Sequence, residues 1–168
     1  MPINAPRKGV NREETLMVVL ARIDQRLIHG IVVNQVAPAY KVKRFMVVDD
    51  LLCDNDAIKA SMRMAKPAGT GVSVISVDTA VANFAAGKYD GQNVLVLVKE
   101  PETLIRLIDG GVQIPKVDLG IIFNEEGREP VTKFIALNDK ERADLEAIKS
   151  RGVPVVIQYV PTDEEQPF

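Results

Sequence analysis

Short runs of aliphatic residues with almost no polar alternation recur along this chain: Met17–Ile23, Arg44–Val48, Val72–Val77, Asn93–Val98, Val117–Phe123 and Val153–Val160. A strand that is apolar at successive positions must be covered on both faces, which is the condition of a parallel sheet lying between helices. The intervening segments Ile31–Ala37, Asp56–Ala65, Thr79–Ala86, Glu102–Asp109 and Lys140–Ser150 carry helical spacing. Their punctuation agrees. Asn138 with Glu141 forms a capping-box pair, Pro101 stands where a first helical turn tolerates a missing amide, and Gly110–Gly111 and Gly152 follow helices. The fold class expected is α/β: three α/β/α layers around a mainly parallel open sheet with crossover helices. Right-handed crossovers gather the strand C-termini along one edge, where a site is expected at a switch in strand order.

A length of 168 residues fits one domain. Residues 1–16, with Pro2, Pro6 and Gly9 and no sustained apolar period, are expected to form a flexible leader, and residues 17–168 a single domain. Lys+Arg 21 against Asp+Glu 23 leaves a net charge of −2, without the basic footprint on which nucleic-acid affinity depends. No apolar run approaches the roughly 20 residues of a membrane helix, so the chain is not expected to span a bilayer. The single cysteine, Cys53, has no internal disulfide partner, in keeping with a reducing, cytoplasmic setting.

The chain's one histidine, His29, lies between the first strand and the first helix, in the segment Arg22-Ile23-Asp24-Gln25-Arg26-Leu27-Ile28-His29-Gly30. Two arginines, an aspartate and a following glycine surround it, and amides of the coming helix are placed to meet an anion beside the imidazole. A neutral imidazole is a competent nucleophile, and a phosphoryl group on it would be met by charge-assisted bonds from Arg26 or the loop amides. Asp24 is a candidate to orient the ring from its other nitrogen. A solvated loop with surface ion pairs is the plainer account of Arg22 and Asp24. Rival chemistries lack parts: one His and one Cys do not make a zinc site, and no phosphate-binding Gly-rich loop is present, so neither metal nor organic cofactor is expected. Asp49-Asp50 reads as a strand-ending turn, Glu125–Arg128 as a hairpin tip, and Met62 with Met64 as helix packing.

The segment Arg22-x-Asp24-x-Arg26-Leu27-Ile28-His29-Gly30-x-Val32 resembles the amino-terminal motif of the mannose/fructose/sorbose-type IIB components of the bacterial phosphoenolpyruvate:sugar phosphotransferase system. Met46–Asp50, Gly110-Gly111-Val112 with Val117–Gly120, and Gly152–Val160 are similar to further stretches of that family, so the likeness extends over roughly Met17 to Thr162. Gln25 stands where the family usually has an acid, Ile31 where it has glutamine, and Asp118-Leu119-Gly120-Ile121-Ile122 where it has Asn-x-Gly-Gly-Met.

The resemblance implies a phosphocarrier. It takes a phosphoryl group from a IIA histidine onto His29, on the ring nitrogen nearer the main chain, and gives it to a sugar of mannose, fructose, sorbose or N-acetylgalactosamine type entering through the membrane IIC and IID components. Arg26 is implied to stabilise transfer; Arg22, Asp24 and Gly30 are expected to bind phosphate or shape the loop. Such a protein works in the cytoplasm, transiently at the inner face of the cell membrane, and needs an exposed, fairly flat surface around the histidine for its partners. Two alternatives stand beside it: a regulatory or partner-binding module that relays no phosphate, and a phosphate-ester hydrolase using the same loop.

Overall fold

The computed structural model describes residues 17–168; the leader expected over residues 1–16 lies outside the described residues. Seven strands form one sheet in the order β3-β2-β4-β1-β5-β8-β9, with β1 Val18–Asp24, β2 Arg44–Val48, β3 Gly71–Ile75, β4 Val94–Val98, β5 Val117–Ile121, β8 Val155–Ile157 and β9 Gln166–Pro167. All pair in parallel except β9, which runs antiparallel to β8. β4 and β5 are buried at every position, as continuous apolar strands require.

The helices divide between the two faces. α3 (Val77–Ala85), α4 (Pro101–Asp109) and α5 (Asp139–Ser150) cover one side through Ala80, Leu104, Leu107, Leu145 and Ile148. On the other, Leu20, Phe45, Val47, Leu95 and Leu97 pack under Val32 and Val36 and under Met62 of α2 (Asp56–Ala65). The path from β1 leads toward β2 and the path from β4 leads back past β1 to β5, so the direction of winding changes beside β1. That is the switch point at which α/β sheets place their sites.

Local chemistry explains the elements. In the capping box of α5, Asn138 accepts from the Glu141 N–H at 2.7 Å and Glu141 accepts from the Asn138 N–H at 3.0 Å. The helix expected over Ile31–Ala37 is instead a π-helical turn, Val32–Val36, running into α1 (Ala37–Ala39). Ala37 N–H reaches back to Val32 O, and the widened turn sits immediately before Pro38, which has no N–H to offer the usual ladder.

Other expectations are corrected. The turn at Glu125–Arg128 precedes rather than tips the small hairpin of β6 (Glu129–Pro130) and β7 (Ala136–Leu137), whose loop is 131–135. Of the methionine pair on α2, Met62 packs on the core but Met64 is 88% exposed. Cα geometry forces this: residues two apart on a helix point to different sides.

Candidate functional site

β1 ends in a tight turn in which Leu27 N–H donates to Asp24 O at 3.0 Å and Arg26 N–H to Asp24 Oδ1 at 2.9 Å. Leu27 closes it with φ +55, a conformation that costs a branched side chain and is held here by burial of that side chain among Leu20, Val32 and Val36. The turn brings His29 back over the strand end, and His29 Nε2 lies 2.8 Å from Asp24 Oδ2. A carboxylate only accepts, so Nε2 carries the hydrogen and Nδ1 keeps the lone pair.

Asp24 is fully buried, and its Oδ2 also accepts from Arg22 Nε at 3.0 Å. Arg22 is itself fully buried: Nη1 donates to Asp118 Oδ2 at 2.8 Å and to Gln158 O at 3.1 Å, and Nη2 donates to Tyr159 O at 2.9 Å. The solvated loop considered for Arg22 and Asp24 is therefore overturned. Arg22 is also corrected as a phosphate-facing cation, because its guanidinium nitrogens are engaged inside the protein. Its place follows from register: Arg22 pairs with Asp118 across β1 and β5, and two residues on, where the register shifts, Gly120 leaves the space in which the guanidinium lies. A Cβ at Gly120 would come within 2.3 Å of Arg22 Nε and Cζ.

Arg26 is exposed, and among the described residues its guanidinium has no hydrogen-bond partner. Gly30 is exposed at the start of the helical segment; among the described residues a Cβ there would meet only Asn34 Nδ2, at 3.9 Å, so none of them demands glycine. The imidazole is less open than expected, with its side chain only 8% exposed, because the bond to buried Asp24 draws it inward. Gln25 joins this loop to the next one, its Oε1 accepting from Phe123 N–H at 2.9 Å. An acid at 25 would accept the same bond.

Nothing in the sequence motif marks Asp118 as a site residue; the available signal was only that Arg22 and Asp118 are each a charged residue inside an apolar strand, and their pairing is set by register. Burial pushes the Asp118 carboxyl up to about 6, against the opposing pull of Arg22, Lys116 and the Gln158 amide. The carbonyls of Gln158 and Tyr159 carried no signal, since any residue supplies them.

The acidic end of β2 serves the fold. Asp49 Oδ1 accepts from the Leu51 and Leu52 amides, both at 2.9 Å. Asp50 accepts from Val77 N–H at 3.0 Å and from Arg106 Nη1 at 2.7 Å, and these two bonds hold its carboxyl below the usual range. Among the described residues no group of three or more His, Cys, Asp or Glu is arranged to hold a metal ion, and no helix is long and apolar enough to cross a membrane. Burial, with Asp54 and Asp50 nearby, raises the Cys53 thiol and makes thiolate chemistry unfavourable there.

Comparison with known proteins points one way. The model of the PTS system sorbose subfamily IIB component matches residues 18–168. The chain is 28% identical over 158 residues to the mannose-specific EIIAB component of Escherichia coli, covering 94% of this chain and 49% of that protein. It thus spans about half the length of that relative. It is 27% identical to the fructose-specific EIIB component of Bacillus subtilis, over 90% of this chain and 93% of the other. Among solved structures, the IIB domain of the sorbose permease from Klebsiella pneumoniae superposes with a TM-score of 0.85 at 27% identity, covering 89% of this chain and 92% of that one.

Proposed function

The chain belongs to the sorbose-subfamily IIB components of the phosphoenolpyruvate:sugar phosphotransferase system, and from that membership we propose that His29 is the residue that carries the phosphoryl group. It takes the group from a histidine of a IIA component and delivers it to a sugar during uptake through membrane IIC and IID components. The chain does this work in the cytoplasm, docking transiently at the inner membrane face. The observation that carries the reading is the 2.8 Å contact between His29 Nε2 and a fully buried Asp24, which reserves Nδ1 for phosphorus.

In the transfer, the Nδ1 lone pair forms the new N–P bond as the donor's bond to phosphorus breaks. The ring keeps its Nε2 proton and becomes cationic, and the Asp24 carboxylate stabilises that charge at a distance fixed beforehand. The exposed Arg26 guanidinium meets the phosphoryl oxygens. Gly30 lets them approach the backbone, whose first helical amides have no partners within the helix. No cofactor enters this scheme.

Incubation with phosphoenolpyruvate, the two general phosphotransfer proteins and a mannose-type IIA component should add one acid-labile phosphoryl group, read by intact mass, and His29→Ala should take none. Absence of the adduct with donors that phosphorylate another IIB component would replace the relay with a non-relaying partner-binding module.

A further inference from the structure

Asp118 does not touch His29, but buried atoms join them. His29 Nε2 and Arg22 Nε both bond Asp24 Oδ2, at 2.8 and 3.0 Å, and Arg22 Nη1 bonds Asp118 Oδ2 at 2.8 Å. One guanidinium thus stands between two carboxylates, with all three side chains at most 2% exposed. The outer oxygen of the pair, Asp118 Oδ1, is buried and has no hydrogen-bond partner among the described residues. An ionised carboxylate with an unsatisfied buried oxygen is costly, and a proton on that oxygen removes the cost.

We propose that Asp118 is a positioning residue for His29, which by holding or releasing a proton on Oδ1 sets how much of the Arg22 charge falls on Asp24, and so how readily Nδ1 accepts phosphorus. With Asp118 ionised, Arg22 is shared between two carboxylates and Asp24 presents most of its negative charge to the ring. Once Nδ1 has given its lone pair to phosphorus, the ring is cationic, and that charge favours the phosphorylated state. With Asp118 protonated, Arg22 faces Asp24 alone and the support weakens. The charged side chains acting on Asp118 are Arg22 from β1 and Lys116 just before β5, with the Gln158 amide after β8; Lys116 in turn pairs with Glu165. Because burial lifts the carboxyl to about 6, the change falls close to neutral pH. The phosphoryl part of this inference rests on the relay reading, whereas the coupling of Asp118 to the ring does not.

The test compares the full chain with Asp118→Asn, which keeps the shape and an acceptor for Arg22 but removes the titration. In wild type, the Asp118 carboxyl 13C signal should titrate near pH 6, and the His29 Nε2–H proton signal should move with it. In Asp118→Asn that step disappears, and at about pH 7.5 the share of protein phosphorylated at equilibrium with a IIA donor falls by about three- to tenfold. A variant whose Nε2–H signal and phosphoryl share both follow wild type across the range overturns the inference. Should that variant not fold, the comparison of wild type with His29→Gln decides: an Asp118 13C titration left unmoved by His29→Gln likewise overturns it. Should wild type accept no phosphoryl group, the relay reading falls, and the proton-signal comparison decides this inference by itself.

Discussion

Asp24 does more for His29 than any other side chain, because its two oxygens take three donors from three directions: Arg26 N–H on Oδ1, and Arg22 Nε and His29 Nε2 on Oδ2. Asp24→Asn cannot reproduce this. An amide oxygen in the Oδ2 position leaves an NH2 facing Arg26 N–H, and the flipped amide leaves it facing Arg22 and the ring. Either way Arg22 also loses a buried counter-charge. The expected result is a loss of about 3 kcal/mol in stability by urea denaturation and a fall of at least about 100-fold in phosphoryl transfer rate, as the ring tautomer is freed. Arg26 is the opposite case. Its guanidinium is exposed and bonds nothing among the described residues, so Arg26→Gln should change stability by less than about 0.5 kcal/mol. Stopped-flow transfer from the IIA donor should nevertheless slow by about tenfold or more, since a charge-assisted contact is lost only when phosphorus is present. Equal rates for Arg26→Gln and wild type would remove this arginine from the reaction.

At the level of strands and helices, Gly120 of β5 decides whether the buried network can exist. A methyl group there would overlap Arg22 Nε and Cζ at 2.3 Å, and the guanidinium cannot retreat without losing Asp118, Gln158 O and Tyr159 O. Gly120→Ala should therefore cost about 3 kcal/mol in unfolding free energy by urea denaturation and also depress phosphorylation, whereas Gly111→Ala, strained only by its φ of +98, should spare transfer. The strands themselves were legible because β4 and β5 are aliphatic without interruption, a pattern that only double-sided burial sustains. α5 was legible from Asn138 and Glu141, whose side chains carry the capping box within four residues. The π turn before Pro38 was not, since helical spacing does not tell a widened turn from an ordinary one; the two-residue strands β6 and β9 were not, being too short to carry a period; and the partners of Arg22 were not, since they lie far away in the chain. Within the candidate site, the turn around His29 was readable because it is local; that Arg22 points inward was set by its register opposite Asp118, which no local pattern reveals.

Across the whole molecule, the two halves of the sheet are covered differently. Beneath α1 and α2 the face is aliphatic, whereas around β1, β5 and β8 the same face carries Arg22, Asp118 and Gln158 under the C-terminal segment. That segment is held by Tyr159 stacked on Phe134 at 3.6 Å, by Gln158 Nε2 donating to Asp163 O at 2.8 Å, and by β9. Closing it over a carboxylate has a consequence for folding at different pH. Asp118 binds its proton more tightly folded, at about 6, than at its ordinary value of 3.8, so its ionisation opposes folding. Below about 3.8 both states are protonated and the group is neutral to stability; as pH rises from there to about 6 stability falls, and above 6 the full cost of about 2–3 kcal/mol is present. Asp50, held low by Val77 N–H and then by Arg106, and Asp109, held low by Arg151, act in the other direction, withdrawing stability only as pH falls below the ordinary carboxylate range. Urea denaturation of wild type and Asp118→Asn at matched pH should therefore give curves whose difference changes by about 2–3 kcal/mol between pH 4 and pH 6.5, the wild type losing ground as pH rises. Parallel profiles would mean that Arg22 keeps Asp118 ionised throughout, and that the buried carboxyl adds no pH dependence of its own to the stability of the fold.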